Sequence, residues 1–156
     1  MSSELHYNGS FTINKAPGDV IGFITDLPRA ITCIPNIINH EVIDKEKVRA
    51  RFRVDLGNEV PIAELRRITT DAVVELIRWS GNEVKYRVDG RAAGSAISIL
   101  LTIRVNATGS GSQVDWDATA SLGRLLQLVG RFVNIDSLVR KISEDTIHGF
   151  IECLSK

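Results

Sequence analysis

Residues 113–154 read QVDWDATASLGRLLQLVGRFVNIDSLVRKISEDTIHGFIECL, and the hydrophobic period changes inside them. Up to Leu122 the period is two. Val114, Trp116, Ala118, Ala120 and Leu122 alternate with Asp115 and Asp117, which is a strand with one apolar and one wet face. After Gly123 the period is 3.6. Stepping about 100° per residue from Leu128, one face collects Leu125, Leu128, Phe132, Ile135, Val139, Ile142, Thr146 and Phe150. The opposite face collects Asn134, Ser137, Lys141, Glu144, His148 and Glu152. The pattern predicts one helix over residues 124–154, with Gly130 as a place where it can kink.

Upstream, the same two periods order the rest of the chain. Residues 7–14 have the pattern of a first strand. Pro17 suits a helix's first turn and Asp19 its positive end, while Val20, Phe23, Ile24 and Leu27 recur at helical spacing until Pro28 ends the run. An irregular or helical piece follows through Ile31 and the segment CIPNI, residues 33–37. From His40 the period is two. Val48, Ala50, Phe52, Val54 and Leu56 alternate with Arg49, Arg51, Arg53 and Asp55. Residues 62–70 and 72–79 read as two further strands, and Gly81-Asn82 marks a hairpin before EVKYRVDG. Ile97, Ile99, Leu101, Ile103 and Val105 share a face of the next strand, and TGSGS, residues 108–112, is a loop. One helical excursion, a run of antiparallel strands and a closing helix make an α+β domain, with the helices gathered on one face of a curved sheet.

Composition bounds the function. The 156 residues suit a single domain, and 44% hydrophobic with 24% charged residues is ordinary for a globular chain. Lys plus Arg and Asp plus Glu are 19 each, so the basic surplus of a nucleic-acid binder is absent and no nucleic-acid partner is expected. Cys33 and Cys153 form no CxxC pair and are expected to be two reduced thiols. MSSELHYNGSF lacks the apolar core of a signal peptide, and the run Ile97 to Ile103 falls far short of the ~20 residues that span a bilayer. The expected location is cytoplasmic, with peripheral membrane contact left open.

Five stretches together carry a resemblance: GSFTINKAPGDVIGFITD (9–26), CIPNI (33–37), RFRVDLG (51–57), DGRAAGSA (89–96) and the closing GRLLQLVGRFVNIDSLVRKISEDTIHGFIECL (123–154). In this order the sequence resembles the G-subunit family of carbon monoxide dehydrogenase, a branch of the START-like, helix-grip superfamily. It departs from that pattern at Asn36, where the family has Gly, and in a shorter loop before RAAGSA. The resemblance implies a curved antiparallel sheet gripping a long helix around an elongated cavity for an apolar molecule. It also implies an accessory role to a redox enzyme, in membrane recruitment or quinone-linked electron disposal.

The residues expected to line such a cavity are Phe52, Trp79, Tyr86, Trp116, Leu128, Phe132, Ile135, Val139, Ile142, Thr146 and Phe150, chosen by phase on strand and helix. Thr146, and Asp136 at the stripe's edge, are polar groups that either orient a ligand or satisfy themselves locally. For Thr146 the local route is its own helix carbonyl four residues back. Glu144, His148 and Glu152 share a helix face at i, i+4 and i+8, but this face opposes the apolar stripe, so solvation outweighs metal binding. Arg49, Arg51 and Arg53 with Arg66, Arg67 and Arg78 suggest a basic outer stripe, weighed against neutralisation by neighbouring acids such as Glu64 and Glu75. GRAAGSA lacks both phosphate-loop patterns, and its small residues fit close backbone approach or a sheet bend. No GxSxG and no inward His–acid pair is found, and no cofactor or metal is expected. The reading is therefore non-catalytic binding of a quinone or lipid-like molecule. A polyketide cyclase or aromatase-like enzyme is the alternative, and an interaction module with a filled core is the third.

Overall fold

The computed structural model describes residues 3–55, 61, 63–92, 95–123, 127 and 134–155. Within them the runs of alternating polarity become seven strands: β1 (Ser3–Ile13), β2 (Ile37–Asp44), β3 (Lys47–Asp55), β4 (Arg67–Ser80), β5 (Glu83–Ala92), β6 (Ser95–Ala107) and β7 (Ser112–Leu122). They form one sheet in the order β1-β7-β6-β5-β4-β3-β2, with every neighbouring pair antiparallel. Register lines up one apolar row across all seven: Leu5, Ala120, Ile99, Val88, Val74, Val48 and Val42. Because side chains alternate with period two, this register puts every inward residue of each strand on the same face. Gly81, in the left-handed region at φ 60°, makes the β4–β5 turn.

The described helices are α1 (Pro17–Thr25), α2 (Leu27–Ala30), α3 (Ala63–Arg66) and α4 (Ile135–Ser155), with a 3-10 turn at Ile31–Cys33. Pro17 opens α1 and Asp19 lies in its first turn, as the sequence indicates. The first helical run does not reach Pro28. It stops at Thr25 because Asp26 leaves helical geometry (φ −86°, ψ 76°), and Pro28 stands instead in the first turn of α2. Val20, Phe23, Ile24, Leu27, Ala30 and Ile31 from these pieces join Ile13, Val48, Ala50, Val74, Val84, Ile103, Val105 and Val114 in one buried core. Burial of this kind stabilises by about 25 cal/mol per Å² of apolar surface removed from water.

Three expectations are corrected. Residues 62–70 and 72–79 are not two strands. Ala63-Glu64-Leu65-Arg66, all strong helix formers after Pro61, make a helical turn, and β4 then runs unbroken from Arg67 to Ser80. The closing helix, expected unbroken over 124–154, is interrupted at Asn134 and runs from Ile135 to Ser155; of residues 124–133 only Gln127, itself helical, is among those described. Asn134 lies outside it, and its side-chain Oδ1 accepts from the Ser137 N–H at 3.1 Å, an N-cap that starts a helix afresh. Gly130, the expected kink, lies outside the described residues.

The third correction concerns the cysteines. Cys33 and Cys153 are joined in a disulfide across a sequence separation of 120. Their distance along the chain hides a proximity that α4 creates. Gly149, one turn before Cys153, packs against the Cys33 carbonyl so closely that a Cβ at 149 would collide with it. Gly90 likewise has no room for a Cβ against the Asp71 carbonyl, the close backbone approach expected of GRAAGSA.

Candidate functional site

The inner face of the sheet is not evenly covered. Beneath α1, α2 and the 3-10 turn, Val84 and Val48 are wholly buried, and Val105, Ala50, Val114 and Ala72 nearly so. Toward the start of β1 and β6 and the end of β7 the same face keeps its apolar side chains only half-buried. These are Leu5, Tyr7, Ile97, Ile99, Leu101, Ala118 and Ala120. They are cross-strand neighbours, since Tyr7 faces Ala118, which faces Leu101, and Ala120 stands between Leu5 and Ile99. The result is a contiguous apolar patch with small residues, Ala118 and Ala120, along its β7 line.

Helix α4 connects the two ends of this face. At its start, the Tyr7 hydroxyl donates to Asp136 Oδ1 at 2.9 Å. Partial burial, then the bonded Asp136 carboxylate, pushes the Tyr7 phenol above its ordinary pKa and keeps it protonated. At its far end, Phe150 meets Phe23 edge-on at 5.8 Å between ring centroids, and the Arg29 guanidinium covers the Phe23 ring at 5.4 Å. Val139, Ser143, Thr146, Ile147, Phe150, Ile151 and Leu154 are the half-buried side of α4. Phe150, Ile151, Cys153 and Leu154 pack on the core cluster.

The residues expected to line a cavity are distributed unevenly over this arrangement. Trp116 is half-buried on the inner face next to Ile103, and Phe52 is half-buried between Thr70 and Ile37. Val139, Thr146 and Phe150 are half-buried on α4. Tyr86 is buried in the core, where its hydroxyl donates to the Ile24 carbonyl and burial drives its pKa far above the usual phenol value. Trp79 is 56% exposed. A register shift between Leu76 and Arg78 brings it opposite Val84, at the hairpin end of the sheet, and its indole N–H donates to the Gly81 carbonyl at 3.2 Å. Ile142 is 36% exposed. Leu128 and Phe132 lie outside the described residues, and so does the Ile135 side chain.

The exposure of Ile142 has a physical cause. A helical phase counted from Leu128 does not carry to Ile142, because Asn134 interrupts the spiral between them. Counting from Val139 within α4 instead centres the buried side near Ser143, Ile147 and Leu154. Those residues, and Leu5 and Tyr7 on β1, are absent from the lining expected of the sequence. The signal for Leu5 and Tyr7 is nonetheless present: they continue the two-residue alternation of Gly9, Phe11 and Ile13 toward the N-terminus.

Other candidates resolve locally. Thr146 Oγ1 donates to the Ile142 carbonyl at 2.8 Å, the i−4 bond that satisfies a helical threonine. Glu144, His148 and Glu152 all project from the exposed side of α4. On the outer sheet face, Arg51 pairs with Asp71 at 2.7 Å, Lys47 with Glu75 at 3.7 Å, Arg67 with Asp55 at 3.9 Å and Arg49 with Glu41 at 4.0 Å. Acids on neighbouring strands thus offset much of that basic stripe. Among the described residues no helix is long and apolar enough to cross a membrane.

Solved structures share this architecture. A conserved protein from Geobacillus kaustophilus superposes with TM-score 0.78 at 17% identity, covering 97% of this chain and 95% of that one. A protein from Thermus thermophilus gives 0.64 at 16% identity, with 96% and 97% covered. A START superfamily protein from Mycobacterium smegmatis gives 0.59 at 7% identity, with 96% and 93% covered. At these identities the likeness is one of fold, the START-like helix grip. No curated protein matches the sequence. The family model of CoxG, the G subunit of carbon monoxide dehydrogenase, matches residues 9–155, and over that span, nearly the whole chain, this protein belongs to the CoxG family.

Proposed function

We propose that the protein binds an apolar small molecule, quinone-like or lipid-like, between the half-open inner face of its sheet and α4. The observation that supports this reading is the patch of Leu5, Ile97, Ile99, Leu101, Ala118 and Ala120. It stays half-exposed while Val48, Ala50, Val84, Val105 and Val114 on the same face are buried. Small-molecule sites are concave, mostly apolar and fitted with few polar groups. Here Tyr7 and Asp136 stand at the edge of the patch, where a ligand's polar end would meet water.

The role is that of an accessory binding protein, serving a carbon monoxide dehydrogenase-type redox enzyme from the cytoplasmic side of the membrane. Binding is favoured over cyclase chemistry by the state of Tyr7. Its hydroxyl already donates a hydrogen bond to Asp136, and its raised pKa makes it a poor acid.

Native mass spectrometry of the purified protein, with solvent extraction of anything it carries, tests the reading. An apolar molecule at one per chain, or saturable titration by a short-chain quinone analogue, is the expected result. A protein that carries nothing and takes up no analogue contradicts it.

A further inference from the structure

The Cys33–Cys153 bridge fastens the far end of α4, the helix whose start is bonded to Tyr7 at the edge of the half-open patch. Cys153 lies in the last turn of α4 and Cys33 ends the 3-10 turn, and both are half-buried, within reach of a small thiol. The same end of α4 packs through Gly149 on the Cys33 carbonyl and through Phe150 on Phe23. Beside it lies a solvent-open cleft of about 420 Å³ lined by Lys15, Asp19, Phe23, Arg29 and Leu154. At the opposite end of α4 the Tyr7–Asp136 hydrogen bond joins helix and sheet.

We propose that Cys33–Cys153 is a thiol-operated latch: reduction by an external dithiol frees the C-terminal turns of α4 and so opens the space between helix and sheet. The opening of a ligand space rests on the binding reading above; the latch on the helix does not. A thiolate of the dithiol attacks Sγ of one cysteine, and the Cys33–Cys153 bond breaks. A mixed disulfide forms, and the released cysteine thiolate takes up a proton. The dithiol's second thiolate then attacks the mixed disulfide, freeing the other cysteine. Two electrons and two protons pass to the protein, and the dithiol leaves as its own disulfide. The reduced state is accommodated where it forms, because the Arg29 carbonyl lies 3.7 Å from Cys33 Sγ and can accept from the new thiol. In a compartment kept reducing, a disulfide is more often a transient, sensing bond than a permanent strut.

The test is hydrogen exchange on the full-length protein, air-oxidised and after dithiothreitol, alongside the release rate of a short-chain quinone analogue. Free thiols are counted in each state. The expected result is zero free thiols before and two after. Exchange in residues 146–155 should be faster by about tenfold or more, strands β3 to β6 should be unchanged, and the analogue should leave faster. Cys153→Ser should show the fast exchange without reductant and no further response to it. If reduced wild type exchanges like oxidised, or every segment speeds equally, the latch is wrong. The same holds if the two thiols stay free under oxidised glutathione. Faster exchange at 146–155 with no analogue bound in either state keeps the latch and removes the ligand reading.

Discussion

The two halves of the sheet's inner face are built from the same kind of strand and end in different states. In the sealed part, short helical pieces supply Phe23, Leu27 and Ile31, which share one buried core with Val48, Val84, Val105 and Val114. Toward the start of β1 and β6 and the end of β7, the inward residues are as apolar, yet Leu5, Ile99, Leu101 and Ala120 remain half-exposed, while Ile13, Ile103, Val105 and Val114 at the other end of the same strands are buried. Strand patterning therefore says which face is inward but not whether anything fills it. That is decided by what the connecting segments bring. α1 and α2 are short and lie flat on the core, whereas α4 is tied at its ends, by Tyr7–Asp136 and by the bridge at Cys153.

The largest effect expected from breaking this arrangement is loss of the bridge. Closing a loop of 120 residues restrains the unfolded chain by about 4–5 kcal/mol in the loop-entropy account, so Cys33→Ser should lower stability by a few kcal/mol in denaturant unfolding. Cys153→Ser should cost the same, and the double variant no more than either alone. Next comes the sealed half. Phe23, 2% exposed and touched by both Phe150 and Arg29, should cost about 3–5 kcal/mol on Phe23→Ala. Its counterpart in the open half, Ile99→Ala, should cost only about 1 kcal/mol, because little surrounding structure is lost. Equal losses at the two positions would mean that the halves are equally packed.

A smaller effect is expected at Tyr86, whose hydroxyl serves the Ile24 carbonyl near the end of α1. Tyr86→Phe should cost about 1–2 kcal/mol. The pH dependence has a definite sign. Burial raises the folded-state pKa of this phenol above its unfolded value, so its contribution is fully present below about pH 10 and is lost as pH rises beyond that. Alkaline denaturation curves should therefore separate less between wild type and Tyr86→Phe as pH climbs above about 10. A constant difference through that range would contradict the assignment.

The strands and their inward faces are readable because alternation is local: Val114 to Leu122 and Ile97 to Val105 face inward as their period requires. β2 is harder. Bulges between Ile37 and Asn39 and between Val42 and Asp44 break its alternation, and as an edge strand it is almost entirely exposed. The site is less readable for two reasons. A helical phase is only as good as its origin, and Asn134, by capping a new helix, resets the phase that would place Ile142 inward. The Cys33–Cys153 contact depends on Gly149 meeting the Cys33 carbonyl, a tertiary event with no signature in spacing. Tyr86 and Trp79 have the right face but the wrong cover, one sealed beneath α1 and the other left at the hairpin end.

The central claim is that the half-open patch holds a ligand, and filling it is the most direct challenge. Ala120 stands between Leu5 and Ile99, half-buried on the inner face, so a larger side chain there projects into the patch. Titration of wild type and Ala120→Phe with a short-chain quinone analogue, each checked by denaturant unfolding, is the measurement. The account predicts saturable binding by wild type, a loss of affinity of about tenfold or more in Ala120→Phe, and stability within about 1 kcal/mol of wild type. Undiminished binding by the variant would contradict it. So would no binding by wild type together with a stability loss of about 1–3 kcal/mol from overpacking, because that result describes a filled core.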